Sequence, residues 1–328
     1  MASHADIRRL VLNDQRLSTL ILTFDHTLNI PQLQYALSLN VTVREIVVYT
    51  DETFLPRFPL TEIQGLFETL GNIPSLERLC FNSRSGFDGV ISIQSLIFVL
   101  SRATRLISFA VSDLKIQGTD KDWSQFAEQL QHAVLLKSFC IIECELYRPP
   151  AGEGLAGVHP PAAASSSNAE TKCPLDPMVM VLSILPGMEK VYLHSTRSGG
   201  LGTISSQAIG ALLLSASLKV LKIRDFLMEA GAVKAMARML TVNPSVLTDL
   251  KVGTILDFQM PSAVALATML ESNTSLECLE IGLSAMIRDD CAATLAKSLK
   301  LNKRLKSFAL TAENSESDGR FMIRNVML

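Results

Sequence analysis

The stretch from Ser217 to Leu310 contains one six-residue pattern four times at a constant spacing. Large apolar residues occupy its first, fourth and sixth positions, as in Leu-Glu-Cys-Leu-Glu-Ile at 276–281. The pattern returns every 29 residues, and its copies begin at Leu218, Leu247, Leu276 and Leu305. A fixed period of this length is typical of stacked structural repeats, in which each unit packs mainly against its neighbours.

Each period has room for one strand followed by one helix. The fourth and sixth positions lie on one face of a strand, and the third, fifth and seventh lie on the other. Between the patterns, apolar residues recur at spacings of three and four, which predicts helices over 231–242, 262–272, 290–301, 60–70, 91–100 and 123–131. In the C-terminal units, Asn243, Asn273 and Asn302 are predicted to end the helices in the left-handed conformation that asparagine tolerates.

Less regular copies of the pattern extend toward the N-terminus. They begin at Leu17, Val43, Leu76, Leu106, Leu136 and Met188. Because no single unit buries both of its faces, the units are expected to stack, with the strands in one parallel sheet and the helices in an outer layer. The sequence therefore predicts an α/β fold of about ten repeats.

Two turns between helix and strand share a spaced asparagine. They read Met-Leu-Glu-Ser-Asn-Thr-Ser-Leu at 269–276 and Leu-Lys-Leu-Asn-Lys-Arg-Leu at 299–305. Together with the strand pattern, these turns resemble the leucine-rich repeats of ribonuclease-inhibitor type. The resemblance implies a right-handed solenoid shaped like a horseshoe, with the sheet on its concave face and the helices on its convex face. It also implies a protein-binding scaffold. That family usually has Asn or Cys three residues after the last strand leucine, and only Cys144 fits here, so irregular turns are expected.

Two segments depart from the repeat, although 1–328 as a whole is predicted to be one solenoid. The unit that begins at Leu136 is about 22 residues too long, and its excess is rich in Pro, Ala and Ser. This composition predicts a flexible insertion over 147–174. An open stack also exposes the core of its last unit. Residues 311–328 are therefore predicted to form a C-terminal cap through Phe321, Met322, Ile323 and Val326, and residues 5–12 to cover the other end.

Composition and motif content exclude several functional classes. The net charge is −2, whereas a general nucleic-acid binder is expected to be basic. No apolar run has the roughly 18 residues of a membrane span, and the start at Met1 lacks the features of a signal peptide. Six irregularly spaced cysteines favour a reducing compartment, so a cytoplasmic protein is expected, with the nucleus left open.

No chemistry-bearing motif is present in the sequence. The histidines and cysteines lack paired metal-ligand spacing, and Ser-Gly-Gly-Leu-Gly-Thr at 198–203 lacks the lysine of a phosphate-binding loop. We therefore expect no catalytic residue, no cofactor and no metal. The oligomeric state is left open.

Two groups on the predicted concave face are candidate binding sites. The charged cluster consists of Lys190, Tyr192, His194, Lys222, Arg224 and Lys251. It is predicted to bind a protein with an acidic surface, although Asp249 and Glu280 offset part of its charge. The apolar patch consists of Val47, Tyr49, Cys80, Ala110, Cys140 and Ile142.

Each candidate site has an alternative interpretation. The charged cluster could be an ordinary solvated surface. A one-residue shift of strand register would turn the apolar patch into the core.

Two further functions stay open alongside the scaffold. Some proteins with similar repeats activate small GTPases, and that role would need an exposed polar group on the loops after the strands, such as Arg84 or Arg224 with Asp225. The chain could also be the sensor part of an immune-type receptor. Fold alone does not decide among these functions.

Overall fold

Strands and helices alternate along the described chain. In this computed structural model, the structure describes residues 4–24, 29–50, 60–83, 90–147, 175–195, 203–228, 231–242, 246–255, 258–312 and 321–322. The helices in these ranges are α1 (His4–Val11), α2 (Ile30–Ser38), α3 (Leu60–Gly71), α4 (Ile93–Arg102), α5 (Asp120–His132), α6 (Asp176–Ile184), α7 (Ser206–Leu213), α8 (Ala232–Val242), α9 (Met260–Ser272) and α10 (Asp289–Leu299). Each helix packs against the next one along the chain, so the helices form one layer.

The strands form a second layer. In chain order they are β1 (Thr19–Phe24), β2 (Glu45–Thr50), β3 (Arg78–Ser83), β4 (Val90–Ser92), β5 (Ser108–Ser112), β6 (Lys115–Gln117), β7 (Ser138–Tyr147), β8 (Lys190–Ser195), β9 (Thr203–Ile204), β10 (Val220–Arg224), β11 (Leu227–Met228), β12 (Asp249–Ile255), β13 (Cys278–Leu283), β14 (Ser307–Ala312) and β15 (Phe321–Met322). The main ladder is parallel and runs β1-β2-β3-β5-β7-β8-β10-β12-β13-β14. The predicted α/β solenoid with a parallel sheet of about ten strands is therefore confirmed.

The strand register follows the sequence pattern in all ten units. Fifth positions of successive repeats lie opposite one another, in the order Ile21, Val47, Cys80, Ala110, Cys140, Tyr192, Lys222, Lys251, Glu280 and Ala309. The alternative of a one-residue shift in the N-terminal units is wrong. Ile46 and Val48 are buried against the helices, and Val47 between them is half-exposed.

Gly253, the seventh strand position of its repeat, does not lie in the predicted column of outward-facing residues. The pairing of β12 with β13 passes from Val252 to Thr254 at a bulge, and Thr254 lies opposite Gly282. A Cβ atom on Gly253 would lie 2.8 Å from the carbonyl oxygen of Phe226. Glycine is therefore needed because the backbone of β12 approaches the turn after β10 closely.

A second set of short strands was not predicted. β4 and β6 pair in parallel, and β6 continues the ladder onto the end of β7. Farther along, β9 pairs with β11, and β11 pairs with the end of β12. These strands of two or three residues are too short to produce a recognisable alternation of apolar and polar residues.

The asparagines between helix and strand do not have the predicted left-handed backbone conformation. Asn273 ends α9 with φ −75° and ψ 127°, which is extended and not left-handed. Asn302 is likewise absent from the residues with positive φ in the described ranges. Asn243 lies outside the described residues. The prediction of a left-handed asparagine cap is therefore wrong at Asn273 and Asn302.

The side chains of these buried asparagines join neighbouring repeats. Asn273 Nδ2 donates to the carbonyl of Leu240 in the preceding unit, and its Oδ1 accepts from the backbone N–H groups of Ser275 and Leu276. Asn302 makes the same kind of contacts one repeat later, with Leu270 O and with the N–H groups of Arg304 and Leu305. The amide thus replaces a backbone turn, which removes the need for a left-handed residue.

The same arrangement recurs at the N-terminal end. Asn40 Nδ2 donates to Leu10 O, and Asn40 Oδ1 accepts from the N–H groups of Thr42 and Val43. In other units the equivalent position has a different buried residue, which is apolar at Ile73 and Leu185 and polar at Ser215. Asparagine is therefore one of several solutions for closing the turn between helix and strand.

Most residues of the predicted insertion and of the predicted cap lie outside the described residues. Residues 148–174 of the predicted insertion lie outside the described residues, and Tyr147 ends β7. Of the predicted cap, Phe321 and Met322 form β15, which pairs antiparallel with Ala312 and Thr311 of β14. Ile323 and Val326 lie outside the described residues. In the described part of the chain, no helix is long and apolar enough to cross a membrane.

Replacing a buried asparagine should weaken the contact between repeats. We expect Asn273→Ala to lower the free energy of unfolding by about 2–3 kcal/mol, because the carbonyl of Leu240 and two N–H groups lose their partner. Urea denaturation followed by circular dichroism measures the change. Thr274→Ala, at the exposed neighbouring position, is the control and should change the midpoint little. Equal midpoints for the two variants would contradict the structural role of Asn273.

Candidate functional site

The candidate site is the open face of the sheet, which we define as the third, fifth and seventh strand positions of the ten repeats. These side chains point away from the helix layer, so most of them are half-exposed or exposed, as in the alternating burial of β5 and β10. Neighbouring parallel strands lie about 4.8 Å apart, so side chains in one column contact across strands. The open face is therefore one continuous surface built from many repeats.

The six residues of the charged cluster lie together on three neighbouring strands, β8, β10 and β12. Tyr192, Lys222 and Lys251 lie side by side in one column. His194 lies opposite Arg224 in the next column, and Lys190 begins β8. The sequence period alone places these side chains on one surface.

Carboxylates on the same face neutralise most of this cluster. Lys222 Nζ lies 3.3 Å from Asp249 Oδ2, and Lys251 Nζ lies 2.9 Å from Glu280 Oε2. Arg224 Nη2 donates to both oxygens of Glu280 at 3.2 Å, although the two residues are two strands apart. Each of these three cations therefore has a carboxylate partner before any ligand binds.

His194 is also paired, with a residue that the sequence analysis did not place in the cluster. Its Nε2 contacts the carboxylate of Asp225, and both side chains are largely buried. Asp225 has φ 57°, so the chain turns sharply after Arg224 and carries the carboxylate back toward β8. The only available signal was an aspartate at a turn, a residue type that tolerates this conformation.

Tyr192 lies where the charged cluster meets the apolar patch. The Lys222 ammonium lies 5.0 Å from the centre of its ring, within the range of a cation–π contact. Cys140 of the apolar patch lies opposite Tyr192 on β7. Burial, with smaller contributions from the neighbouring Cys140 and Asp249, raises the pKa of the Tyr192 hydroxyl, so the phenol stays neutral.

Compensation of charge changes the expected ligand of the cluster. Four cations, Lys190, Lys222, Arg224 and Lys251, share the surface with Asp225, Asp249 and Glu280. A ligand that is acidic throughout would meet these carboxylates as well as the cations. The arrangement therefore does not favour the predicted uniformly acidic partner, because the three carboxylates reduce the formal charge of the four cations to +1, with His194 not counted.

The apolar patch occupies the strands on the other side of Tyr192. Val47 and Tyr49 of β2 lie beside Cys80 of β3, and Ala110 and Cys140 continue the same column. All of these side chains are half-exposed, and so is Ile142. Ile21 of β1 extends the column and is 49% exposed. The structure therefore brings the residues of the apolar patch together on adjacent strands.

The thiols of the apolar patch behave as apolar groups. Burial raises the pKa of Cys140 to about 11, and burial with the nearby Glu45 charge also raises the pKa of Cys80. Both thiols are therefore uncharged and weakly reactive near neutral pH. The patch carries no charge of its own along the column from Ile21 to Tyr192.

The chemistry needed for catalysis does not come together in the described ranges. No group of three or more His, Cys, Asp or Glu residues there could hold a metal ion. Arg224, the residue named for a GTPase-activating role, is held by Glu280. Arg84 lies outside the described residues. The geometry offers no observation in favour of the GTPase alternative.

Comparison with known proteins supports no assignment to a family. No family model matches the sequence, and no curated protein is significantly similar to it. Among solved structures, an internalin (inlF) from Listeria monocytogenes str. 4b F2365 is 12% identical, with a TM-score of 0.34 over 89% of this chain and 91% of the internalin. TLR13, in a complex with ssRNA13, is 14% identical, with a TM-score of 0.36 over 86% of this chain and 38% of TLR13. This chain thus spans well under half of the TLR13 chain.

Likeness at this level carries no conclusion about function. The architecture follows from the chain itself, because strand–helix units with a leucine pattern stack in parallel and in register. This is a leucine-rich-repeat fold.

The ion pairs of Glu280 predict a dependence of stability on pH. Burial alone raises the pKa of the Glu280 carboxyl, but the hydrogen bond from Lys251 and the charge of Arg224 outweigh it and hold that pKa below its usual value. The resulting stabilisation is present above the ordinary carboxyl pKa and is lost as pH falls through the lowered pKa. We expect Glu280→Gln to lower the free energy of unfolding by about 1 kcal/mol at pH 7.

The pH series supplies the control for this prediction. The difference between the parent chain and Glu280→Gln should shrink as pH falls below about 4. Glu128→Gln removes an exposed carboxylate of α5 for which the described residues provide no ion-pair partner, and it should have a smaller effect at every pH. A difference for Glu280→Gln that stays constant from pH 7 to below the carboxyl pKa would contradict the ion-pair interpretation.

Proposed function

We propose that this chain is a protein-binding scaffold and that the open face of its sheet is the binding surface. The observation that carries the proposal is the apolar patch, which is uncharged and half-exposed over four adjacent strands next to a charge-compensated cluster. Contiguous exposed apolar surface is uncommon on soluble proteins and usually marks an interaction site. The helix layer packs only on the opposite side of the sheet, so no described helix covers the patch.

The two halves of the open face suit different parts of an interface. Protein interfaces commonly have an apolar centre, which supplies affinity, and a polar rim, which fixes orientation. The apolar patch supplies the first part, and the paired charges of β10, β12 and β13 supply the second. The partner that fits is a protein segment with an apolar stretch flanked by charges of both signs.

Tyr192 and Arg224 are the residues expected to contribute most among the charged cluster. Tyrosine and arginine dominate the energetics of protein interfaces, especially near the centre. Tyr192 lies between Cys140 and Lys222, at the boundary of the two halves. Arg224 is 42% exposed in its side chain while it contacts Glu280, so it can also reach a ligand.

Several finer statements belong to the same proposal. The 29-residue period and a helix in each unit support repeats of ribonuclease-inhibitor type. One sheet that runs from β1 to β15 supports a single solenoid, with 147–174 as an insertion and 311–328 as a cap. The described cysteines are thiols rather than disulfides, which favours a cytoplasmic location. No observation in the described residues favours the immune-type sensor.

Capture of partner proteins from an extract of the source cells tests the proposed surface. The double variant Val47→Glu with Ala110→Glu places two charges in the apolar patch and should abolish retention of the partner. Val264→Glu is the matched control, because Val264 is 49% exposed on α9 in the opposite layer. Quantitative mass spectrometry of the retained proteins compares the variants, after circular dichroism has established that each is folded.

A second variant separates the two halves of the surface. Tyr192→Ala should weaken retention by about tenfold or more, since removal of a central aromatic residue usually costs more than about 1 kcal/mol. The proposal is contradicted if the charge variants in the apolar patch retain the same proteins as the parent chain. It is also contradicted if Val264→Glu alone loses them.

A further inference from the structure

Within the part of the chain that the structure describes, strand β1 is an edge of the sheet whose residues provide none of the usual protection. Among the described residues it pairs with β2 alone, so alternate backbone N–H and C=O groups on its outer side face no other strand. Edge strands are normally protected by charged residues, by proline, by a bulge or by a covering segment. β1 reads Thr-Leu-Ile-Leu-Thr-Phe, with neither charge nor proline, and its pairing with β2 has no bulge.

The opposite edge of the sheet is protected by the chain itself. β14 receives β15 as a short antiparallel neighbour, with Thr311 opposite Met322. The two ends of the stack therefore differ, and only the N-terminal end offers an uncovered strand among the described residues. An uncovered strand of this kind pairs readily with another extended backbone.

Residues 19–23 read the same in both directions. The sequence Thr-Leu-Ile-Leu-Thr is symmetric about Ile21. If two such strands pair antiparallel with Ile21 at the centre, Ile21 lies opposite its own copy, Thr19 lies opposite Thr23 of the second copy, and Leu20 lies opposite Leu22. A two-fold interface requires this kind of self-complementarity, because the same surface must match itself.

The outward-facing side chains of the paired strands also match. Leu20 and Leu22 are already buried on the core side, at 2% and 0% exposure, so the new side-chain contacts form on the open face. Ile21 is 49% exposed on the open face, where Thr19 is exposed and Thr23 is half-exposed, so β-branched residues would meet on that side. Pairs of this type stabilise antiparallel strands.

We propose that two copies of this chain form a dimer by antiparallel pairing of their β1 strands about a two-fold axis at Ile21. The pairing joins the two sheets into one and leaves both open faces on the same side. Val47 lies beside Ile21 on the neighbouring strand, so the apolar patches of the two copies become one surface across the axis. The proposal rests on the edge and its symmetry and does not depend on the proposed binding function.

The strength of the dimer follows from its small contact. Pairing of one six-residue strand buries less surface than a standard protein interface, so a dissociation constant on the order of micromolar is expected. Sedimentation equilibrium of the full chain over about 1–100 μM measures it. A parent chain that remains monomeric at about 100 μM would overturn the proposal.

Charge variants at Ile21 test the two-fold geometry directly. In Ile21→Lys and in Ile21→Glu, each introduced charge lies opposite its own copy at about 4.5–5.5 Å, so each variant alone should dimerise about 100-fold more weakly or not at all. An equimolar mixture of the two variants pairs opposite charges, so native mass spectrometry should show a mixed dimer. A mixture that stays monomeric would overturn pairing about Ile21.

Two controls guard against loss of folding. Ala309→Lys places the same charge at the fifth position of β14, on the protected edge, and should leave dimerisation unchanged. Circular dichroism checks that each Ile21 variant is folded. If either fails to fold, the double variant Thr19→Lys with Thr23→Lys replaces it, because Thr19 would lie opposite Thr23 and the lysines would repel. Dimers that persist in the folded charge variants would overturn the proposal.

Discussion

The fold depends on the inability of one strand–helix unit to bury its own apolar surfaces. Each strand has a leucine face that only the adjacent helices cover, and each helix packs against the helices of the next units. Backbone pairing between repeats enforces one register along ten strands. Where the turn between helix and strand is polar, a buried asparagine such as Asn273 bonds to the carbonyl of the preceding repeat and fixes the same spacing. Stability is therefore a property of contacts between neighbours.

The same constraint produces the surface proposed for binding. Because the register is shared, any residue type at a fifth position becomes part of a column that crosses many repeats. Uncharged side chains fill this column from Ile21 to Cys140, and charged side chains fill it from Lys222 to Glu280. Tyr192 divides them, with a thiol on one side and an ammonium on the other. A scaffold of this design can vary its ligand through outward positions while its core stays unchanged.

The period of the sequence pattern predicted most of the architecture and little of the local chemistry. The 29-residue spacing places Lys222 beside Lys251, because register depends only on counting residues between leucines. It does not show that Glu280 reaches Arg224 across an intervening strand, since that contact depends on side-chain length and direction. The left-handed caps were wrong at Asn273 for a similar reason: residue type predicted a backbone conformation, whereas the amide replaces backbone bonds. Asp225 joined the cluster through a turn without periodic signal.

The central claim is that strands on both sides of residues 148–174 are adjacent and in register, so that the open face is continuous. Cys140 of β7 and position 192 of β8 are opposite each other in that account. Tyr192→Cys therefore places a second cysteine opposite Cys140. The two Cα atoms are about 4.8 Å apart, which is within the range of a disulfide. Oxidation at alkaline pH, where more of the Cys140 thiol is ionised, followed by peptide mass spectrometry should show a bond between Cys140 and the introduced thiol, and Lys190→Cys should show none. A bond to Cys80 instead, or equal bonding in both variants, would contradict the account.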